Sequence, residues 1–226
     1  MLFRSEGLFG VVRKVITTSE LMEQNYVSSF LIKAIVLKYP DDVKKQIAKF
    51  NYQQEIDYLV RNEARNNFIK NLALSLKGNT LILFQFVEKH GDVLEKLIRG
   101  STNQPVYYVY GGVDKDERES IRRIVEEQEN AIIIASSGTF STGINIRNLH
   151  NIIFSSPSKS KIRNLQSIGR GLRKSDSKDN ATLYDIADDM TWKNRKNFTI
   201  NHFIERMKIY NEEKFEYKIY PVNLKV

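Results

Sequence analysis

Three residues whose spacing suits phosphate chemistry lie in the stretch Gln166-Ser-Ile-Gly-Arg-Gly-Leu-Arg173. On a helix, Gln166, Arg170 and Arg173 are spaced i, i+4 and i+7 and share one face, while apolar residues fill much of the opposite side. Two guanidinium groups held together suit a phosphate chain that gains negative charge during transfer. A solvated basic face is the commoner fate of two helical arginines. Gly169 favours the chemical interpretation, because glycine costs a helix about 1 kcal/mol relative to alanine unless another group must approach closely.

Alternating strands and helices must position these residues. Apolar, β-branched runs predict strands at 30–39, 80–84, 106–110, 131–135, 151–154 and 181–186, with a last candidate at 215–222. Helical patterns cover 41–76 in two or three pieces, 87–98, 114–129, 162–173 and 198–214. This alternation predicts an α/β domain whose parallel sheet is buried on both faces. Ligands of such sheets bind beyond the carboxyl ends of the strands.

The composition narrows the classes of function. The 226 residues are 41% hydrophobic, enough for a packed core, and carry a net charge of +8 that favours a polyanionic partner such as nucleic acid. The lack of cysteine excludes disulfides, iron–sulfur clusters, thiol catalysis and Cys-ligated zinc, and the three histidines are too far apart in sequence to suggest a metal site. No apolar run approaches the ~18 residues of a membrane span. We therefore expect a cytoplasmic protein without membrane contact.

Several segments resemble the motifs of superfamily 2 helicases and translocases. The pattern Gln-x-x-Gly-Arg-x-x-Arg at 166–173 matches the sixth motif. Residues 134–145 resemble the fifth motif, with Asn145 in place of the more usual aspartate, and residues 80–85 resemble the fourth. Residues 108–112, followed by Arg118, resemble the strand, glycine turn and helix between those two motifs. The whole chain is similar to the C-terminal half of the recombination helicases of T4-type phages.

The resemblance implies a fold for this chain and a separate N-terminal domain that binds the nucleotide. It implies a RecA-like domain over residues 26–226, of the P-loop NTPase-like type but without its own P-loop, preceded at 1–25 by a remnant of the first motor domain or connector. ATP and Mg²⁺ would be bound mainly by an N-terminal RecA-like domain carrying the phosphate-binding loop and the acidic metal motif. This sequence contains neither motif. The acidic pair Asp188-Asp189, which we predict in a loop, has no such loop as a partner. The chain alone is therefore expected not to hydrolyse ATP.

The resemblance also assigns roles around the nucleotide. Arg173 would be the arginine finger, with Arg170 beside it, and Gln166 would lie on the same face. Gly143 and Asn145 would meet the ribose side. The alternatives are an ordinary turn glycine at 143 and a local turn hydrogen bond from Asn145.

DNA contact is the second implied role. The residues that the resemblance assigns to it are Gln85, Phe86, Gly111, Gly112, Ser136, Ser137, Thr139, Lys159 and Lys161. Residues 159–178 hold seven basic residues and one acidic residue, a charge suited to phosphates. The alternative for the serines is to cap the helix that follows their strand. A second basic cluster fits a solvated helix face better: Lys193, Arg195, Lys196, Arg206 and Lys208.

The resulting hypothesis is the C-terminal half of an ATP-dependent helicase that acts on branched DNA in recombination and repair. Three alternatives stay open at this point: a DNA-binding module without catalysis, a restriction-type translocase, and an unrelated nucleotide-binding α/β protein.

Overall fold

The computed structural model describes residues 29–141, 146, 148–156 and 180–225. Its strands are β1 Ser29–Lys38, β2 Thr80–Phe84, β3 Val106–Val109, β4 Ile132–Ser136, β5 Asn151–Phe154, β6 Asn180–Asp189 and β7 Tyr217–Asn223. Its helices are α1 Asp41–Ile47, α2 Tyr52–Arg61, α3 Glu63–Ser75, α4 Asp92–Arg99, α5 Lys115–Glu126, α6 Ser137–Ser141 and α7 Phe198–Glu212. A π-helical turn, Val87–Gly91, leads directly into α4.

The described strands form one parallel sheet in the order β3-β4-β2-β5-β6-β1-β7. This confirms the predicted parallel α/β fold, including the predicted place of 30–39 in the same sheet. Parallel pairing sets Phe84 opposite Ser136, so that the carboxyl ends of β2 and β4 meet at one edge. We call this side of the sheet the carboxyl edge.

The sheet is buried on both faces because its central strands are mostly apolar and a helix layer packs against each face. β2 and β5 are buried along their whole length. Leu81 and Leu83 of β2 belong to the core shared with α5 and α7, whereas Ile82 and Phe84 belong to the core shared with α1 to α4. The two-residue period of a strand thus divides the apolar side chains between two helix layers.

Polar side chains separate the helices that lie between β1 and β2. Asn51 accepts from the backbone N–H of Gln54, whose side chain accepts from the backbone N–H of Asn51, and this capping box begins α2. Asn62 accepts from the backbone N–H of Arg65 and begins α3. The predicted helical region 41–76 is therefore three helices, the upper number that the sequence allowed.

One boundary prediction is wrong. The strand predicted at 181–186 continues to Asp189, so the pair Asp188-Asp189 lies inside β6 and not in a loop. Both carboxylates have a cationic partner on another element, Arg65 for Asp188 and Lys38 for Asp189, and these contacts keep them in the sheet. The predicted helix at 162–173 and the remnant predicted at 1–25 lie outside the described residues.

Candidate functional site

The ends of β2 and β4 bring part of the predicted DNA site together. Gln85 and Phe86 follow β2 directly, and Ser136 ends β4 with Ser137 beginning α6. The Ser137 hydroxyl donates to the carbonyl oxygen of Phe84 at 3.0 Å and ties the two strand ends to each other. Gln85 is exposed and Phe86 is half-buried, so this part of the carboxyl edge is open to a ligand.

The hydroxyl groups of this edge are engaged within the protein. Oγ of Ser136 lies 2.7 Å from Oγ1 of Thr139 and also accepts from the Thr139 backbone N–H at 3.3 Å. This is the geometry of a side-chain cap at the start of α6. Thr139 is buried, at 6% exposure, so its hydroxyl is not presented to solvent. The capping alternative therefore accounts for Ser136 and Thr139 in the structure, and Gln85 is the more open residue at this edge.

The two predicted glycines follow β3, on the far side of β4 from β2. Both are exposed. A side chain at Gly112 would meet the ring of Tyr110 at 2.6 Å, so the packing of this ring is sufficient to explain the glycine without a ligand. No atom lies within 4 Å of a side chain placed at Gly111, so the backbone there is open to close approach by another chain.

Aromatic rings support this end of the sheet from one face. Tyr108 lies between Phe84 and Tyr110, with ring centroids at 5.6 Å and 5.2 Å. Its hydroxyl donates to Asp92 Oδ1 at 2.7 Å. Burial, and then the hydrogen bond to Asp92, raise the pKa of Tyr108 above its ordinary value, so it remains a donor at physiological pH. The ring contacts connect β2 to β3 and fix the glycine turn relative to Gln85.

A buried polar network that was not predicted from the sequence lies at the carboxyl ends of β1, β5 and β6. Nε and Nη2 of Arg65 donate to the two Asp188 carboxylate oxygens at 2.8 Å and 3.0 Å. Nη2 also donates to the carbonyl oxygen of Ser155 at 2.8 Å, and the Tyr39 hydroxyl donates to Asp188 Oδ1 at 2.8 Å. Burial and the Asp188 charge raise the pKa of Tyr39 well above its ordinary value, which keeps it protonated.

The sequence carried one signal for this network. Arg65, Ile69 and Ala73 are all buried on α3, so a charged residue occupies the stripe that faces the core. A charged residue at such a position requires a buried partner of opposite charge. The structure identifies that partner as Asp188, 123 positions further along the chain.

A second buried ion pair corrects the interpretation of the second basic cluster. Arg206 is 1% exposed and its Nε and Nη2 atoms donate to the two carboxylate oxygens of Asp185 at 2.8 Å and 3.0 Å. The Tyr210 hydroxyl donates to the same carboxylate at 2.9 Å. Arg206 therefore faces the sheet and not solvent, because Asp185 on β6 supplies a buried counter-charge. The other four members of the cluster are exposed.

The remaining predicted site residues lie outside the described residues: Gly143, Asn145, Lys159, Lys161, Gln166, Arg170 and Arg173. Within the described ranges, no group of three or more His, Asp or Glu side chains could hold a metal ion. Among the same residues, no helix is both long enough and apolar enough to cross a membrane.

Comparison with known proteins gives this geometry a context. Residues 63–175 match the helicase conserved C-terminal domain family. The chain is 38% identical over 231 residues to the ATP-dependent DNA helicase UvsW of enterobacteria phage T4, which covers 96% of this chain and 46% of that protein. The chain thus spans less than half the length of this relative.

Solved structures agree with the fold. The crystal structure of T4 UvsW superposes with a TM-score of 0.78 at 35% identity, covering 100% of this chain and 46% of that one. The Type ISP restriction-modification enzyme LlaBIII bound to DNA gives a TM-score of 0.59 at 17% identity, over 98% of this chain and 17% of the enzyme. The E. coli DEAD-box protein SrmB gives 0.52 at 11% identity, over 88% of this chain and 91% of that one. The last two likenesses are of fold alone.

Proposed function

The chain belongs to the helicase conserved C-terminal domain family, and from that premise we propose that it is the second motor domain of an ATP-dependent DNA helicase. Its substrate would be branched DNA in recombination and repair, within the cytoplasm. Its partner would be an N-terminal RecA-like domain, on the same chain or on another.

The observation that carries the proposal is the extent of the similarity to the T4 helicase. Identity of 38% runs over 96% of this chain and is not limited to short motifs. A nucleic-acid-binding module of unrelated origin would not share that extent. DNA, rather than RNA, is proposed as the substrate because the matched relative is named as a DNA helicase.

ATP and Mg²⁺ would be held mainly by the N-terminal domain, and bound Mg²⁺ would neutralise charge on the phosphates. Arg170 and Arg173 of this chain would then stabilise the negative charge that grows on the γ-phosphate. The fork of an arginine suits this role, because its planar donors match phosphate oxygens. Gln166, Gly143 and Asn145 would complete the contacts with the nucleotide.

DNA would lie along the carboxyl edge. Gln85 is exposed there, and the backbone at Gly111 has open space above it, so both could approach a phosphate backbone. Lys159 and Lys161 would add cationic contacts. Backbone and amide donors of this kind position a strand without reading its sequence.

A chimeric helicase tests the proposal. This chain replaces the matching 46% of T4 UvsW, and DNA-stimulated ATP hydrolysis is measured beside the unmodified helicase and beside this chain alone. We expect turnover from the chimera and none from the isolated chain. A folded chimera that binds DNA without hydrolysing ATP would favour the alternative of a non-catalytic DNA-binding module. ATP turnover that purifies with the isolated chain would contradict the proposal that ATP and Mg²⁺ are held mainly by the N-terminal domain.

A further inference from the structure

Two aromatic rings face solvent where α2 and α7 begin. Tyr52 is 41% exposed and Phe198 is 37% exposed. Their ring centroids lie 5.9 Å apart at an interplanar angle of 75°. Glu55 of α2 fixes this arrangement, because its carboxylate accepts from the backbone N–H groups of Phe198 at 2.9 Å and Thr199 at 2.8 Å. The rings are therefore presented on a rigid support.

A basic turn lies beside the rings. The backbone N–H groups of Trp192 and Arg195 each donate to the carbonyl oxygen of the other at 3.0 Å, which closes a tight turn. Lys193 occupies the turn with φ 51°, a conformation that favours glycine. A non-glycine residue in this conformation is strained and persists only where the surrounding structure holds it there.

Three cations of this turn lack an acidic partner. Lys193, Arg195 and Lys196 are exposed, and no described carboxylate lies within ion-pair distance of any of them. By contrast, Lys208 pairs with Glu205 at 2.8 Å. The exposed, unpaired part of the second basic cluster is thus the part that lies next to the aromatic rings.

The turn and the rings form one continuous surface. A small pocket lined by Phe50, Arg195 and Phe198 lies between them. Arg195 Nη2 also reaches the carbonyl oxygen of Phe50 at 3.5 Å. We name this the aromatic-basic surface: Tyr52, Phe198, Lys193, Arg195 and Lys196.

We propose that the aromatic-basic surface binds single-stranded DNA, with the cations on phosphates and the rings on bases. Stacking on exposed aromatic rings beside cations is the chemistry by which proteins hold unpaired strands. A protein partner fits less well, because the buried centres of protein interfaces are depleted in lysine. The choice of DNA over another polyanion rests on the proposed function.

The surface continues the edge already assigned to DNA. The basic turn follows β6 at the carboxyl edge, three strand positions from Ser136 at the end of β4. At the usual spacing of strands, β6 lies about 14 Å across the sheet from β4, and the register places the end of β6, Asp189, three residues beyond the level of Ser136, about 10 Å further along the strands. A strand that contacts Gln85 and Ser136 could therefore extend onto Tyr52 and Phe198.

Trp192 makes the surface directly observable. It is the single tryptophan of the chain and is half-buried within the basic turn. The full chain is titrated with an oligo-dT strand, and tryptophan emission is read together with the anisotropy of the same strand carrying a label. We expect quenching that follows the anisotropy curve and weakens with salt.

Substitutions with matched controls complete the test. Lys193→Gly removes a charge while relieving the strained turn, and Lys77→Gln removes an exposed charge next to the amino end of β2, at the opposite edge. Tyr52→Leu removes a stacking ring, and Tyr220→Leu changes a tyrosine of the same 41% exposure on β7. We expect about tenfold weaker binding for Tyr52→Leu, as for one lost stacked base, and weaker binding with a shallower salt slope for Lys193→Gly. Both controls should bind as the unmodified chain does.

Two results would overturn the proposal. Anisotropy that shows binding while Trp192 emission is constant, with Lys193→Gly and Tyr52→Leu unchanged, would place DNA elsewhere on the chain. Absence of any binding to the strand would also refute it. Neither result decides the proposed motor function, which is read from ATP hydrolysis by the chimeric helicase.

Discussion

Replacing Arg65 by methionine should destabilise the fold severely. Arg65 is fully buried, and three hydrogen bonds from its guanidinium satisfy the Asp188 carboxylate and the Ser155 carbonyl. Methionine fills a similar volume but donates nothing. The substitution therefore leaves a buried carboxylate without its counter-charge at the carboxyl ends of β1, β5 and β6.

The expected magnitude is about 3–5 kcal/mol, the usual cost of removing one partner from a buried ion pair. For a chain of this size, each kcal/mol shifts the melting temperature by about 2–4 °C, so a loss of about 6–20 °C is expected. The double substitution Arg65→Met with Asp188→Leu removes both charges. It should cost less than the sum of the two single substitutions, because no unpaired charge is left buried.

Urea unfolding followed by far-ultraviolet circular dichroism measures these differences. Arg122→Met is the matched control, because Arg122 pairs with Glu119 and Glu126 on the surface of α5. It should cost about 1 kcal/mol or less. If Arg65→Met costs no more than Arg122→Met, the buried pair does not hold the strand ends as described.

Three further outcomes are expected. The isolated chain should bind DNA weakly, and the logarithm of its affinity should fall linearly with the logarithm of the salt concentration in titrations at several salt concentrations. If the affinity does not change with salt, the basic residues at 159–178 form only a solvated surface. Glu55→Gln should lower the free energy of unfolding by about 2 kcal/mol in urea titrations. Both carboxylate oxygens of Glu55 accept from N–H groups that begin α7, whereas the side-chain amide of glutamine has only one acceptor oxygen. An unchanged free energy of unfolding would contradict this. Burial acts to raise the pKa of Asp189, but hydrogen bonds from Lys38 and Thr191 outweigh it and lower that pKa. The stabilisation by the Asp189 carboxylate is therefore present above about pH 4 and is lost as the pH falls further. Asp189→Asn should therefore make the melting temperature fall less steeply as the pH is lowered through this range. If the fall is as steep as in the unmodified chain, the contact between Asp189 and Lys38 is not a source of acid sensitivity.

The sheet could be predicted from the sequence because its signals are local. Continuous apolar runs at 80–84 and 151–154 match β2 and β5 residue for residue. The helical pattern predicted from residue 114 matches α5, and the Asp114 side chain accepts from the backbone N–H of Asp116 at the start of that helix. Capping and periodicity depend on residues within a few positions of each other.

The contacts between distant residues could not be predicted in the same way. Asp188 and Asp189 looked like loop residues because their cationic partners, Arg65 and Lys38, lie 123 and 151 positions away. Arg206 looked solvated because its helix position alone does not reveal Asp185 on β6. The partner of a buried charge is decided by the packing of the sheet, and short-range patterns carry no information about it.

The positions of the proposed site residues at strand ends could be predicted from the sequence, but their side-chain contacts could not. The sequence placed Gln85 and Ser136 at the carboxyl ends of strands, but only the structure shows that β2 and β4 are neighbours and that these ends are adjacent. That Ser136 caps α6 and that Ser137 bonds to Phe84 required coordinates. The assignment of Arg170 and Arg173 stays a prediction.

The turnover number of the chimeric helicase carrying Arg173→Ala shows whether this chain supplies the arginine finger. We expect kcat to fall by on the order of 10³ or more, the factor typical of a lost arginine finger. Nucleotide affinity, DNA affinity and melting temperature should be retained, since the charge acts mainly in the transition state. Arg173→Lys should not restore kcat, because the planar fork is lost. A near-normal kcat in Arg173→Ala, or a loss of activity that accompanies unfolding, would contradict the claim that this chain supplies the finger.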